Sequence, residues 1–316
     1  MANHTQYIIG VDGGGTSTVA RLADLQGNVL SVATAGPSNL QTYGPEQCAQ
    51  TLHDAISEVC SSAHVGLSDI AVVVYGTAGA GRKADQERLF SAIQQVWKPL
   101  PQKPSGLHIV GDADIALEAA FGGEPGIIII AGTGSIIYGR DVDGTIKRAG
   151  GWGPILGDPG SGTALGLSAL RIAMKTFDGC IESSHLVRLI AETEGIDSPE
   201  TLIRRVYKEK FPPSKLAPVV LHAAKENDLY AKQIVQETAR DLVDMLRCGI
   251  KKFSFIDSVP ISYVGGLLQS DTIYPEIVKQ EINTKIPNAD IRQPKFKPEE
   301  GAIAMARRIA ETGIAT

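Results

Sequence analysis

The feature that most constrains the fold is an internal repeat. In each copy an apolar run, a glycine-rich turn, a second run, a hairpin glycine and a third run follow one another. Three landmarks coincide at one common offset along the chain: Gly15-Thr16 with Gly132-Thr133, Gly27 with Gly144, and Gly36-Pro37 with Gly153-Pro154. Because turn, hairpin and terminating Gly-Pro all share this offset, the repeat predicts two related lobes, each opening with strand, turn, strand, hairpin and strand.

Hydrophobic periodicity and glycine breaks extend this pattern to the rest of the chain. The first lobe is predicted to continue with a helix, a strand, a helix and a strand over residues 44–62, 70–75, 85–97 and 107–110. The second lobe is predicted to carry a large helical insertion, which includes a helix over 199–208. A strand over 260–264, a helix, a strand and a final helix over 298–314 follow it.

Length and charge limit the classes of function. The 316 residues suffice for two domains, and 43% of them are hydrophobic, so each domain can bury a core. The formal net charge of -5 gives no electrostatic reason to expect a nucleic-acid or membrane partner. The first ten residues lack the segments of a signal peptide, and the four cysteines contain no CxxC pair, which together predict a cytoplasmic protein with reduced thiols.

Three predicted strands end in glycine turns, at Gly13–Gly15, Gly132–Gly134 and Gly265-Gly266. Glycine lets backbone amides approach an anion without an intervening Cβ, and arrays of such amides bind phosphate oxygens. None of the turns fits the dinucleotide fingerprint or the P-loop, and any one alone is consistent with an ordinary tight turn. Two such turns at equivalent places in repeated units favour a cleft that binds one polyphosphate.

Asp12 lies between the first apolar strand and its glycine turn. A carboxylate at this place suits hydrated Mg²⁺, which takes one or two carboxylates and keeps several waters. The alternative is an aspartate that only caps the turn.

Several segments resemble motifs of a known superfamily. Residues 9–18 (IGVDGGGTST), 130–135 (IAGTGS) and 264–268 (VGGLL) are similar to the two phosphate motifs and the adenosine motif of the actin/hexokinase/acetate-kinase superfamily. Residues 150–153 (GGWG) and 156–161 (LGDPGS) resemble its BadF/BadG/BcrA/BcrD branch, which includes N-acetylglucosamine and glucosamine kinases. The resemblance extends from Asp12 to Gly301, nearly the whole chain.

This resemblance implies an α/β fold of two ribonuclease-H-like lobes of the actin-like ATPase type, with a nucleotide cleft between them. It also implies a helical insertion in the second lobe and a last helix that returns to the first. We place the first lobe at residues 1–113 plus 297–316 and the second at 114–296. ATP and Mg²⁺ are the implied cofactors, a small-molecule sugar is the implied substrate, and a homodimer is a possible assembly.

The resemblance also assigns site residues. Asp12 would hold Mg²⁺ through water, and Asp112, in Gly111-Asp112-Ala113, would be the catalytic aspartate. The ATP-binding positions would be Gly13, Gly14, Gly15, Thr16, Gly132, Thr133, Gly134, Ser135, Gly265 and Gly266. The sugar-binding positions would be Asn39, Thr77, Gly79, Gly150, Gly151, Trp152 and Asp158. The chain departs from the family pattern at two places: Pro159 stands where sugar-kinase relatives often carry Glu, and no aromatic residue follows Asn39. Both departures affect which sugar is expected to bind more than which reaction is expected.

The sequence therefore predicts ATP-dependent phosphorylation of a hexosamine, either N-acetylglucosamine or glucosamine, at the 6-position. One alternative is an ATPase activator of a 2-hydroxyacyl-CoA dehydratase or benzoyl-CoA reductase. Such an activator needs paired thiolates for a bridging [4Fe–4S] cluster, and no cysteine occurs between Cys60 and Cys180. A non-catalytic sugar sensor is a third alternative, and it would tend to lack the pair of Asp12 and Asp112.

Overall fold

The computed structural model describes residues 6–313. The described chain forms two compact units, one containing the residues up to Glu124 together with those from Pro294 onwards, and the other Pro125–Gln293. Three predictions fall partly outside the described residues. They are the lobe termini at residues 1 and 316, the start of the segment without signal-peptide features, and the end of the last helix at Ile314. Every helix within residues 6–313 is too short or too polar to cross a bilayer.

The first unit is built on one five-stranded sheet. Its elements are β1 (Tyr7–Gly13), β2 (Thr18–Asp24), β3 (Val29–Ala35), α1 (Leu40–Ser62), β4 (Ile70–Thr77), α2 (Lys83–Trp97), β5 (Gly106–Gly111), α3 (Asp112–Phe121) and, from the end of the chain, α10 (Pro298–Thr312). The strand order is β3-β2-β1-β4-β5. The first three strands are antiparallel, and β1, β4 and β5 are parallel, as the repeat and the alternation of strands and helices predict.

Helices cover both faces of this sheet. Ile9 and Val11 point to one face and join the core of α1 and α2, whereas Ile8 points to the other and joins α3 and α10. A Cβ at Gly10 would lie 2.5 Å from the backbone nitrogen of Ile303, so only glycine permits α10 to pack this closely on β1. The last helix thus belongs to the first unit, as expected.

The second unit repeats the same sheet. Its elements are β6 (Gly126–Ala131), β7 (Ser135–Arg140), β8 (Ile146–Gly150), α4 (Gly162–Phe177), α5 (His185–Glu194), α6 (Pro199–Ile203), α7 (Ala217–Lys225), α8 (Leu229–Ile250), β9 (Val259–Val264), α9 (Ile273–Lys285) and β10 (Ala289–Arg292). The strand order is β10-β9-β6-β7-β8, and read from the opposite edge, as β8-β7-β6-β9-β10, it corresponds strand by strand to β3-β2-β1-β4-β5 of the first sheet. The internal repeat is therefore confirmed at the level of topology.

Three details differ from the sequence predictions. α1 begins at Leu40, and the φ of +79° at Gly44, just before Pro45, kinks it where we predicted its start. The helix predicted over 199–208 is α6 followed by a π-helical turn over Arg204–Lys208. The first unit extends to Glu124 rather than 113, because α3 packs on α10: a Cβ at Gly301 would lie 2.7 Å from the backbone nitrogen of Ala119.

Candidate active site

Two carboxylates of the first unit lie at the same edge of its sheet. The register places Gly13 beside Thr77 and Thr77 beside Gly111, at the carboxyl ends of the parallel strands β1, β4 and β5. Asp12 precedes this row on β1, and Asp112 follows it as the first residue of α3. The carboxyl ends of parallel strands are where α/β sheets place ligands.

The surroundings of Asp12 disfavour its charged form. Burial raises the pKa of its carboxyl to about 6, and the negative charges of Glu299 and Asp112 contribute in the same direction. Glu299, at the start of α10, is buried and paired with Arg21, whose Nη2 lies 2.9 Å from Oε1 of Glu299. Crowded carboxylates of this kind are stabilised by a cation.

The donor set near Asp12 fits a hydrated Mg²⁺. Within residues 6–313, no three His, Cys, Asp or Glu side chains are grouped so that they could hold a metal ion. Mg²⁺ needs no such group, since it commonly binds one or two carboxylates, several waters and the phosphates of a substrate. Asp12 is therefore suited to a metal that arrives with its nucleotide.

Asp112 and Asp114 have different tasks although both lie in the first turn of α3. Oδ2 of Asp114 accepts a hydrogen bond from the amide of Gly111, the N-cap residue of α3, at 2.9 Å, which is the half of a capping box that a glycine N-cap can form. Asp112 accepts only from the amide of Ala113, at 3.0 Å, among its described hydrogen bonds. Desolvation raises the pKa of Asp112, although part of its side chain is exposed and reached by water.

The first glycine turn is anchored to two neighbouring loops by backbone hydrogen bonds. The carbonyl of Gly13 accepts from Ala78 N at 2.8 Å, and that of Gly14 accepts from Ser38 N at 2.9 Å. The hydroxyl of Thr77 is buried and donates to the carbonyl of Ser38 at 2.6 Å. Thr77 thus fastens the loops, whereas Thr16, at the tip of the turn, is exposed.

Asn39 and Gly79 meet at the same edge. Oδ1 of Asn39 caps α1 by accepting from Gln41 N at 3.0 Å, and Gln41 Nε2 donates to the carbonyl of Gly79 at 2.9 Å. A Cβ at Gly79 would lie 2.9 Å from Cγ of Gln41, and its φ is +86°. The first unit therefore brings its predicted ATP, metal, catalytic and sugar positions to one edge.

In the second unit the glycine turn after β6 contacts the start of α4. The carbonyl of Gly132 accepts from Gly162 N at 2.8 Å, and that of Thr133 accepts from the hydroxyl of Thr163 at 2.7 Å. A Cβ at Gly132 would meet no atom within 4 Å, so its backbone is open to a ligand. Thr133 is exposed, as is Thr16 at the equivalent position of the repeat.

The predicted adenosine loop packs on the same turn. Gly265 has a φ of +100°, and a Cβ there would lie 2.5 Å from the carbonyl oxygen of Ala131. That oxygen also accepts from Leu267 N at 3.1 Å. A Cβ at Gly266 would meet no atom within 4 Å, so Gly265 makes the close approach and Gly266 leaves the open surface.

Asp158 organises the loop that carries the predicted sugar residues of this unit. Its Oδ1 accepts from Gly153 N at 3.0 Å, and its Oδ2 lies 2.7 Å from the place a Cβ of Gly134 would occupy. Glycines with positive φ at 150, 151 and 153 let the loop turn sharply. Trp152 is 64% exposed at its tip. The hydroxyl of Ser135 donates a hydrogen bond to the carbonyl of Pro159 at 2.6 Å.

The repeated sheets, each with a glycine turn after its first strand, and the strand-end carboxylates define an actin-like ATPase fold of the sugar-kinase type. The chain belongs to the BadF/BadG/BcrA/BcrD ATPase family, which it matches over residues 9–306.

Among its relatives, an N-acetylmuramic acid/N-acetylglucosamine kinase of Clostridium acetobutylicum is 32% identical, over 96% of this chain and 98% of the relative. An N-acetyl-D-glucosamine kinase of Dictyostelium discoideum is 28% identical, over 95% and 98%. The crystal structure of a candidate N-acetylglucosamine kinase from Chromobacterium violaceum is similar at a TM-score of 0.75 and 25% identity, over 95% of this chain and 98% of that one.

Proposed function

We propose that this protein transfers the γ-phosphoryl group of ATP to a hydroxyl of N-acetylglucosamine or glucosamine, at the 6-position, with Mg²⁺ as cofactor. The observation that carries the proposal is the placement of Asp12 and Asp112 at the sheet edge that also holds the Gly13–Thr16 turn. The activities of the relatives support a hexosamine as the substrate class.

In this mechanism Asp112 is the general base. It accepts the proton of the acceptor hydroxyl while the new oxygen–phosphorus bond forms and the bond from the γ-phosphorus to ADP breaks. The raised pKa of Asp112 supports this role, because it brings the proton affinity of the carboxylate closer to neutral pH.

The other predicted residues hold the reactants. Amides of the glycine turns would donate to phosphate oxygens, and Asp12 would hold Mg²⁺ through water. When bound, Mg²⁺ neutralises charge that develops on the phosphate oxygens. Asn39 and Asp158 supply acceptors for sugar hydroxyls, and Trp152 supplies an apolar face for the ring.

The iron–sulfur activator is less well supported. Cys48 and Cys60 are buried in the core of the first unit, where burial raises the pKa of each thiol to about 11. Cys180 and Cys248 are exposed on the second unit, Cys180 in the turn after α4 and Cys248 near the end of α8. The use of ATP as phosphoryl donor and the presence of free thiols support a cytoplasmic location. The homodimer stays a prediction.

The test compares Asp112→Asn with Asp114→Asn, each assayed with ATP, Mg²⁺ and a panel of hexosamines. Asp112→Asn keeps the size of the side chain and loses its basicity, so turnover should fall by about 10²–10⁴ while ATP still binds. Asn at position 114 can still accept from Gly111 N, so Asp114→Asn should keep turnover within a few-fold.

The reverse result, with Asp112→Asn active and Asp114→Asn inactive, would move the base to Asp114. Activity in both variants would contradict the proposed base catalysis.

A further inference from the structure

An apolar groove of about 490 Å³ lies between α4 and the segment that α6 forms with the π-helical turn. Leu165 and Ala169 point into the core of the second unit, and the groove lies on the opposite side of α4. Three hydrophobic side chains that line the groove, Met174, Ile203 and Tyr207, are 45%, 55% and 77% exposed. Exposed apolar side chains gathered in one place are typical of a surface that another molecule covers.

Arg171 and Asp178 are the charged residues that line this groove. They lie seven residues apart, which places both exposed side chains on the same face of α4, about 10 Å apart along its axis. Within the part of the chain that the structure describes, neither side chain has an ion-pair or hydrogen-bond partner. Asp178 is also the C-cap residue of α4, where the helix dipole disfavours a negative charge and favours a cation. Each side chain therefore lacks a counter-charge that a partner could supply.

We propose that two copies of the chain pair through this groove as a symmetric dimer. A two-fold axis brings the same patch of both copies together, so the patch has to be complementary to itself. Met174 lies between Arg171 and Asp178, close to the midpoint. When two α4 helices lie antiparallel with the axis at Met174, Arg171 of each copy faces Asp178 of the other. The apolar side chains of each copy then cover the groove of the other.

The arrangement of the charges favours a second copy over other occupants. A groove for an acidic or a basic partner would carry one sign of charge, whereas this groove carries one residue of each sign on either side of an apolar centre. Two identical copies in the antiparallel arrangement pair all four charges at once. These ion pairs, at the rim of the contact, would fix the register of the two helices.

The first experiment measures dimerisation by sedimentation velocity over a range of micromolar concentrations, where we expect the wild type to be dimeric. Arg171→Asp and Asp178→Arg should each weaken the dimer by at least about ten-fold, because like charges then face each other at both symmetry-related positions. Arg188→Asp is the matched control and should leave the dimer unchanged, since Arg188 is exposed on α5 and lies outside the groove. A wild type that is monomeric at every concentration, or a dimer that neither reversal weakens, would overturn the proposal.

The second experiment mixes the two charge-reversal variants in equal amounts. We expect a heterodimer about as stable as the wild-type dimer, because the carboxylate introduced at position 171 of one copy faces the guanidinium introduced at position 178 of the other. The native Asp178 of the first copy then faces the native Arg171 of the second. If both variants keep the circular dichroism spectrum of the wild type and their mixture stays monomeric, the antiparallel arrangement is wrong and the proposal fails.

Tyr207→Ala covers the case in which a charge reversal impairs folding. The Tyr207 side chain is largely exposed, so its removal should leave the circular dichroism spectrum unchanged and weaken the dimer through the loss of apolar contact. A dimer that Tyr207→Ala does not weaken would place the interface elsewhere and would overturn the proposal. None of these measurements needs a substrate, so their outcome is independent of the proposed kinase activity.

Discussion

Replacing Asp12 by asparagine should stabilise the metal-free protein and abolish its Mg²⁺-dependent turnover. Burial and the charges of Glu299 and Asp112 raise the pKa of Asp12 from 3.8 to about 6 in the folded protein. Between these two values the folded protein holds a proton that the unfolded chain has released. The free energy of unfolding therefore falls as the pH rises from 3.8 to 6 and is constant above that, as far as Asp12 determines it.

The size of the effect follows from the shift. A pKa raised by about two units lowers the free energy of unfolding by about 3 kcal/mol above pH 6. This figure is an upper limit, because solvent reaches part of the Asp12 side chain. At pH 5 about half of this penalty has developed. Asparagine has no charge to bury, so Asp12→Asn should gain up to about 3 kcal/mol at pH 8 and up to about 1.5 kcal/mol at pH 5.

Thermal unfolding in EDTA at pH 5 and pH 8 measures this gain, with about 2–4 °C expected for each kcal/mol. Asp24→Asn is the control, because hydrogen bonds from Asn28 lower the pKa of Asp24. Its charged form stabilises the fold above pH 3.8, and its replacement should bring no gain. No gain for Asp12→Asn at pH 8, or the same gain at both pH values, would refute the reasoning.

Two further predictions concern the second unit. Trp152→Ala and Asp158→Ala should each weaken sugar binding by at least about ten-fold, as measured by calorimetry, and leave ATP binding within two-fold, because both side chains belong to the loop assigned to the sugar. Gly265→Ala should lower the melting temperature, because the positive φ alone costs about 1–2 kcal/mol and the new Cβ would meet the carbonyl of Ala131. For Gly266→Ala the free energy of unfolding should stay within about 0.5 kcal/mol of the wild-type value. Unchanged sugar affinity in the first pair, or equal stability in the second, would contradict these assignments.

The sequence predicted the architecture well because the repeat and the strand periodicity are local signals. Gly15-Thr16 and Gly132-Thr133 mark the same turn in both units, and the two sheets have the same strand order. The helix α3 escaped prediction, because it starts directly at the end of β5 and no loop or break separates the two. The lobe boundary was placed too early for the same reason.

The roles of individual site residues depended on contacts that the sequence does not contain. Thr77 has the polarity of a ligand-binding residue, but its hydroxyl is buried and donates to the carbonyl of Ser38. Asp112 and Asp114 are two residues apart, and only the fold distinguishes them, since Asp114 accepts a hydrogen bond from the amide of Gly111 at the start of α3. Spacing in the sequence therefore identifies the segment that contributes to the site. The hydrogen bonds of the folded chain determine which side chains of that segment are available to bind a ligand.

Glu299 is the clearest case of a residue whose importance only the fold reveals. In the sequence it marks the start of the last helix, far from Asp12 along the chain. Gly10 allows α10 to pack directly on β1, and this packing brings the buried Glu299 close enough to raise the pKa of Asp12. Arg21, on β2, holds Glu299 in place with an ion pair of 2.9 Å. The charge at the proposed metal position is therefore set by residues of four elements, β1, β2, α3 and α10, so a change to the helix packing should alter Mg²⁺ binding without touching Asp12.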